Sequence, residues 1–165
     1  MTPQTICEFE EESVPVSETE IELFESKNDL RLPEALRQIL IETNGGYVRE
    51  ERLLFDDDDD EVITGVEEVF GISSDDVDWS SSIVPLERWV KFKRELYPSF
   101  PSVELLEELN GSISRYFVMS GDGVVFYLLD YTGSKECKRI CYLDLVGGDQ
   151  IIVSLGDDIS CVVAV

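Results

Sequence analysis

Five consecutive aspartates, Asp56 to Asp60, stand between the apolar runs Leu53-Leu54-Phe55 and Val62-Ile63. Carboxylates packed this closely are the raw material of a calcium loop. Counted from Asp56, oxygen-bearing side chains fall at the first, third, fifth and ninth positions (Asp56, Asp58, Asp60, Thr64), with Ile63 eighth and Glu67 twelfth. That is half of an EF-hand loop. The sixth position, where such a loop needs a tight-turning glycine, is Glu61, and Arg52-Leu53-Leu54-Phe55 makes a poor entering helix. The spacing therefore predicts a solvated acidic loop with weak, unspecific cation affinity, and no metal site.

Other reactive side chains give less. The chain has no histidine, which removes Ser–His and Cys–His nucleophilic catalysis, histidine-ligated zinc and the commonest general base at neutral pH. Any chemistry would fall to carboxylates, lysine or tyrosine. Neighbouring carboxylates recur (Glu67 with Glu68, Asp75 with Asp76, Asp157 with Asp158), and among 36 acidic residues no glycosidase-like couple stands out. Cys7, Cys137, Cys141 and Cys161 contain no Cys-x-x-Cys pair and read as reduced, mostly buried thiols. Gly121-Asp122-Gly123 lies between strand-like runs without the following helix that a dinucleotide site requires, so it predicts a turn and no cofactor. The tryptophans divide: Trp89 fits the apolar face of a helix, whereas Trp79 sits among Ser and Asp in a loop, as a lid on the core or a contact anchor.

The elements that must position these residues are legible in outline. At 165 residues and 43% hydrophobic content the chain suits one domain with a sizeable core. Ser17 and Glu20 form a capping box opening a helix over about 18–27, with Ile21 and Phe24, and Leu23 beside them, as its apolar face. Pro33 suits the first turn of a second helix, whose Leu36, Ile39, Leu40 and Thr43 share one side and which Asn44-Gly45-Gly46 ends. Tyr47 to Ile72 reads as short strands, or strands plus one helical turn, joined by the acidic run. A third helix follows Pro85, with Leu86, Trp89, Val90 and Leu96 inward and Arg88, Lys91, Lys93 and Arg94 outward; "SVELLEEL" adds a short fourth. "ISRYFVMS" and "VVFYLLDY" make a hairpin about Gly121-Asp122-Gly123, and "KRICYLDL", closed by Gly147-Gly148, a further strand. The terminal "VSLGDDISCVVAV" fits a helix opened by Ser154 or a β-branched strand equally well.

Charge sets the class of partner. With 36 acidic against 13 basic residues the net charge is −23, a field that repels nucleic acid and anionic membranes and attracts cations and basic proteins. Solubility or salt adaptation is the alternative account. The N-terminus shows no basic-then-apolar secretory pattern and the apolar runs are too short to span a bilayer, so a soluble, cytoplasmic protein is expected.

The order of these elements resembles the SUKH superfamily of Smi/Knr-type domains. The resemblance rests on Leu32-Pro33, Asn44-Gly45-Gly46 and "VEEVFGI", Val66 to Ile72, followed by the aromatic hairpin and the "CYLD" strand, and it covers roughly residues 17–146. It implies an α+β fold: one domain, a mainly antiparallel sheet of about five or six strands with helices packed around it. Residues 17–165 then form the domain and 1–16 an acidic extension. It also implies a non-catalytic module, with bacterial members regarded as immunity proteins that block toxins, many of them nucleases, and fungal members as regulatory scaffolds. The leading expectation is an immunity protein that binds a basic toxin such as a nuclease, because a carboxylate face competes for the lysines and arginines that a nuclease offers to phosphates. The expected partner face comprises Asp56, Asp57, Asp58, Asp59, Asp60, Asp75, Asp76, Asp78 and Trp79. A regulatory domain of the same fold and a carboxylate-dependent hydrolase are the other readings.

Overall fold

Ser17 opens the helical part of the chain. The Glu20 carboxylate accepts from the Ser17 amide at 2.9 Å while the Ser17 hydroxyl accepts from the Glu20 amide at 3.3 Å, the reciprocal box that the spacing predicts. The structure is a computed structural model that describes residues 7–8, 14–48, 54–55, 62–63, 68–73 and 82–159. Among them are four helices: α1 (Glu18–Asn28), α2 (Glu34–Thr43), α3 (Leu86–Leu96) and α4 (Val103–Asn110). Ile21 on α1 and Leu36 and Leu40 on α2 are buried. Leu23, expected beside them, is 69% exposed. It lies two residues from Ile21, about 200° round the helix, and so faces solvent. Pro33 and Pro85 stand just before their helices, with ψ of 139° and 138°, one residue earlier than expected. Their extended ψ carries the chain into the helix from outside.

Ten strands are described: β1 (Cys7–Glu8), β2 (Gly46–Val48), β3 (Leu54–Phe55), β4 (Val62–Ile63), β5 (Glu68–Val69), β6 (Val84–Pro85), β7 (Tyr116–Gly121), β8 (Val125–Asp130), β9 (Arg139–Asp144) and β10 (Val153–Gly156). The main sheet runs β10-β9-β8-β7-β6, every pair antiparallel. A smaller sheet orders β1-β2-β5, and β3 pairs with β4, Leu54 opposite Ile63 and Phe55 opposite Val62. The fold is α+β, with the five-stranded antiparallel sheet as its centre.

The hairpin is made as its turn chemistry requires. Asp122 Oδ1 accepts from the amides of Val124 and Val125 at 2.9 and 2.8 Å, and Gly123 takes φ +90°. β7 and β8 are buried over nearly their whole length, so both faces of the sheet centre are covered. Trp89 links the layers: its ring lies 6.4 Å from Phe70, just after β5, and 5.7 Å from Phe126 on β8. Helix α3 reaches the end of that hairpin at Lys93, whose Nζ crowds Gly123. Leu96, expected inward, projects past it and is 55% exposed. The ambiguous C-terminal segment resolves in part: Val153–Gly156 is an edge strand with a bulge between Ser154 and Gly156.

The two local signatures of the sequence, Asn44-Gly45-Gly46 and the segment ending Gly71-Ile72, grip each other. Asn44 ends α2 at φ +51°, and its side chain donates to the Ile72 carbonyl (3.1 Å) and accepts from the Ile72 amide (2.8 Å). A Cβ on Gly71 would lie 2.2 Å from the Asn44 carbonyl oxygen, and one on Gly45 would lie 2.5 Å from that of Val69. Glycine is required at both places because backbone meets backbone there.

Candidate partner-binding face

Helix α4 is short and carries more carboxylate than its length suggests. Ser102 caps it, accepting from the Leu105 amide at 3.2 Å. Leu106 is buried beneath, while Leu105 and Leu109, one turn apart, remain 40% and 44% exposed. Glu104, Glu107 and Glu108 surround them. Hydrogen bonds from its own backbone amide and from Ser102 hold the Glu104 carboxyl below its ordinary value, helped by the nearby charges of Arg94 and Lys91.

Asn110 fastens the end of this helix to the segment leading into β10. Its Nδ2 donates to the Gln150 carbonyl at 2.9 Å, and its Oδ1 accepts from the Ile152 amide at 2.8 Å. A third bond, to the Leu106 carbonyl at 3.0 Å, fixes the amide itself. Ile151 and Val153, on either side of the clamped Ile152, are 49% and 48% exposed. Asp149, Asp157 and Asp158 flank them, all exposed. Residues 103–114 and 145–159 contain no lysine or arginine. The result is exposed apolar side chains on two segments tied together by Asn110, with exposed carboxylates beside them and Arg94 and Lys91 of α3 near Glu104.

Elsewhere the reactive groups are committed to holding the fold. Burial alone would push the Asp130 carboxyl up, but bonds from the Thr132 hydroxyl (2.6 Å) and amide (2.9 Å) and from Arg139 Nε (2.7 Å) outweigh it and hold Asp130 low. Burial pushes the phenols of Tyr116 and Tyr131 up, away from the ionised form that a tyrosine base would need. Tyr131 donates to the Arg31 carbonyl at 3.0 Å. Glu25 accepts from the Leu32 amide (2.8 Å) and from Arg37 (2.7 Å), which pins the Leu32-Pro33 corner in a polar cleft of about 440 Å³. A larger groove, about 660 Å³, has Val16, Phe24, Ile83 and Val84 in its wall, with Lys27, Arg88 and Glu20 as the charged residues among those described.

The residues expected from the sequence to face a partner, Asp56 to Asp60, Asp75, Asp76, Asp78 and Trp79, lie outside the described residues. Their flanks β3 and β4 form a strand pair where an EF-hand would need helices. Of the cysteines, Cys141 is buried in β9 and Cys137 is half-buried, its thiol donating to the Arg139 carbonyl at 3.4 Å; neither forms a disulfide. The α4 face escaped the sequence reading. Its signal was present in "VELLEELN", whose leucines at 105, 106 and 109 exceed what one buried helix face can use.

Comparison with protein families matches residues 15–159 to the SMI1 / KNR4 family (SUKH-1). The chain belongs to that family, which is generally non-catalytic and of immunity type. Comparisons with curated proteins and with solved structures gave no match. Among the described residues no helix is long and apolar enough to cross a membrane.

Proposed function

We propose that this protein is a cytoplasmic immunity module that binds and neutralises a basic protein, a nuclease toxin being the partner whose chemistry fits best. The observation that supports it is the distribution of charge in a SUKH-1 chain: a net −23, with the carboxylates crowded round exposed apolar side chains. Such a surface meets lysines and arginines that would otherwise bind phosphates. A regulatory module of the same family would be acidic without needing any toxin beside it. Asp56 to Asp60, Asp75, Asp76 and Asp78 add to the field that draws the partner in, and Trp79 anchors it. Replacing Asp56 to Asp60 by asparagine slows association at low salt and leaves dissociation nearly unchanged, because charge contributes more to the steering of an encounter than to holding the complex. Trp79→Ala speeds dissociation. The test is protection: cells expressing the basic protein encoded beside this gene should survive only when this chain is also made. Killing that this chain does not relieve, in every such pairing, refutes the reading.

A further inference from the structure

We infer that α4 and the Gln150–Val153 segment clamped to it form the seat for a cationic amphipathic helix of the partner, with Leu105, Leu109, Ile151 and Val153 as its apolar floor. The inference rests on the preceding reading that the partner is basic, and it says where and in what form that partner binds.

Charge decides between the exposed apolar stripes of this molecule. On α3, Phe92, Leu96 and Tyr97 are 39%, 55% and 57% exposed. That helix carries Arg88, Lys91, Lys93 and Arg94 against only Glu87 and Glu95, so a basic partner is repelled there. Beside the α4 stripe stand six exposed carboxylates (Glu104, Glu107, Glu108, Asp149, Asp157, Asp158), and the two cations that reach Glu104, Arg94 and Lys91 of α3, are engaged by the Phe100 carbonyl and by Glu87. Like-signed contacts cost specificity and opposite-signed ones confer it, so the two stripes cannot serve the same partner.

Backbone geometry decides between a strand and a helix as the occupant. β10 is the edge of the main sheet, and an open edge invites strand addition. This edge is four residues long and its register breaks between Ser154 and Gly156, with Asp157 and Asp158 immediately after. Shortness, a bulge and charge are the devices that block edge pairing. What remains is the exposed surface of α4 and of the segment clamped to its end, which carries leucine, isoleucine and valine with carboxylates beside them. A helix with lysines or arginines along its flanks and apolar residues between them covers it. The three hydrogen bonds of Asn110 hold the two segments together, so little ordering is required on docking.

The probe is a synthetic helical peptide of alternating lysine and leucine turns, titrated into the isotope-labelled full chain and followed by amide shifts. The expected result is a set of shifts centred on residues 103–112 and 145–158, with affinity falling as salt rises. Leu105→Ser together with Leu109→Ser weakens binding about tenfold or more, while Phe92→Ser with Leu96→Ser leaves it unchanged. Ile151→Ser, on the clamped segment, gives an independent reading should the leucine pair disturb α4. Shifts centred on the aspartate run or on α3, or full affinity in both the leucine and the isoleucine variants with the fold intact, overturn the inference. A chain that still protects cells after Leu105→Ser and Leu109→Ser loses this seat but keeps the immunity reading. A chain that binds the peptide on α4 yet protects against nothing keeps the seat and loses that reading.

Discussion

Replacing Asn44 dissects the grip between the two signature segments. In Asn44→Gly the left-handed backbone at φ +51° stays accessible, so the change removes only the side-chain bonds to the Ile72 amide and carbonyl. Each contributes about 1 kcal/mol net, and leaving the half-buried Ile72 amide without its acceptor adds to that, for a total of about 2–3 kcal/mol. Asn44→Ala loses the same bonds and also places a Cβ in the left-handed region, costing about 1 kcal/mol more. Gly71→Ala tests the same contact from the other side, since its Cβ would sit 2.2 Å from the backbone carbonyl oxygen of Asn44 and 2.7 Å from its Oδ1. Urea unfolding of the set should rank wild type above Asn44→Gly and Asn44→Gly above Asn44→Ala, with parallel slopes. If Asn44→Gly proves as stable as wild type, the clamp contributes nothing and the Asn-Gly-Gly signature reflects only turn geometry.

Three further outcomes are expected. The Asp130 carboxyl is held low in the folded state, so its stabilisation is present above its unfolded value of about 4 and is lost as pH falls through the lower folded value; Asp130→Asn should lower stability at pH 7 and flatten that part of the acid limb of the unfolding curve. Arg115, which donates to the carbonyls of Asn28 (2.9 Å) and Asp29 (2.8 Å) at the end of α1 and to that of Ser134 (3.2 Å) between β8 and β9, should cost about 1–2 kcal/mol as Arg115→Lys in thermal unfolding, because a single nitrogen cannot reproduce the fork of Nη1 and Nη2 that reaches them. Calorimetric titration of calcium should show binding no tighter than about millimolar, and micromolar affinity would revive the EF-hand reading of the aspartate run.

Local chemistry told the sequence reader a good deal. The capping box at Ser17, the Asp122 turn and the amphipathic strip ending at Trp89 each depend on residues within one or two turns of each other, and each forms as the spacing implies. What stayed hidden depends on long-range partners. Nothing in the polarity of "EELNGS" marks Asn110 as a clamp, because its acceptor and donor lie about forty residues on. Arg115 reads as an ordinary surface cation until the end of α1 is folded against it. Leu23 and Leu96 misled because hydrophobicity alone does not say where the core stops. The α4 stripe went unseen for the same reason in reverse: an exposed leucine looks like a buried one in a string of letters.

The described cations suggest why this chain can be so acidic and still fold. Arg37 is committed to Glu25, Arg139 to Asp130, Arg115 to the end of α1, Arg94 to the Phe100 carbonyl, Lys91 to Glu87 and Lys135 to Asp29. Basic residues therefore act at specific joints, while most of the described carboxylates are exposed, where they repel one another. Two accounts of that surplus differ in what salt does. If the acidity were salt adaptation, the chain would unfold at low ionic strength and need concentrated salt to form its core. If it serves a partner, the core must hold by itself, and screening the net −23 should add only modest stability. Raising sodium chloride from about 0.05 to 0.5 M, which cuts the screening length about threefold, should therefore lift the thermal midpoint by a few degrees, on the order of 1 kcal/mol for a chain of this size. Cooperative unfolding must already be present at the lower salt. A chain that is unfolded there would hand the charge to salt adaptation and remove the electrostatic ground for a basic partner.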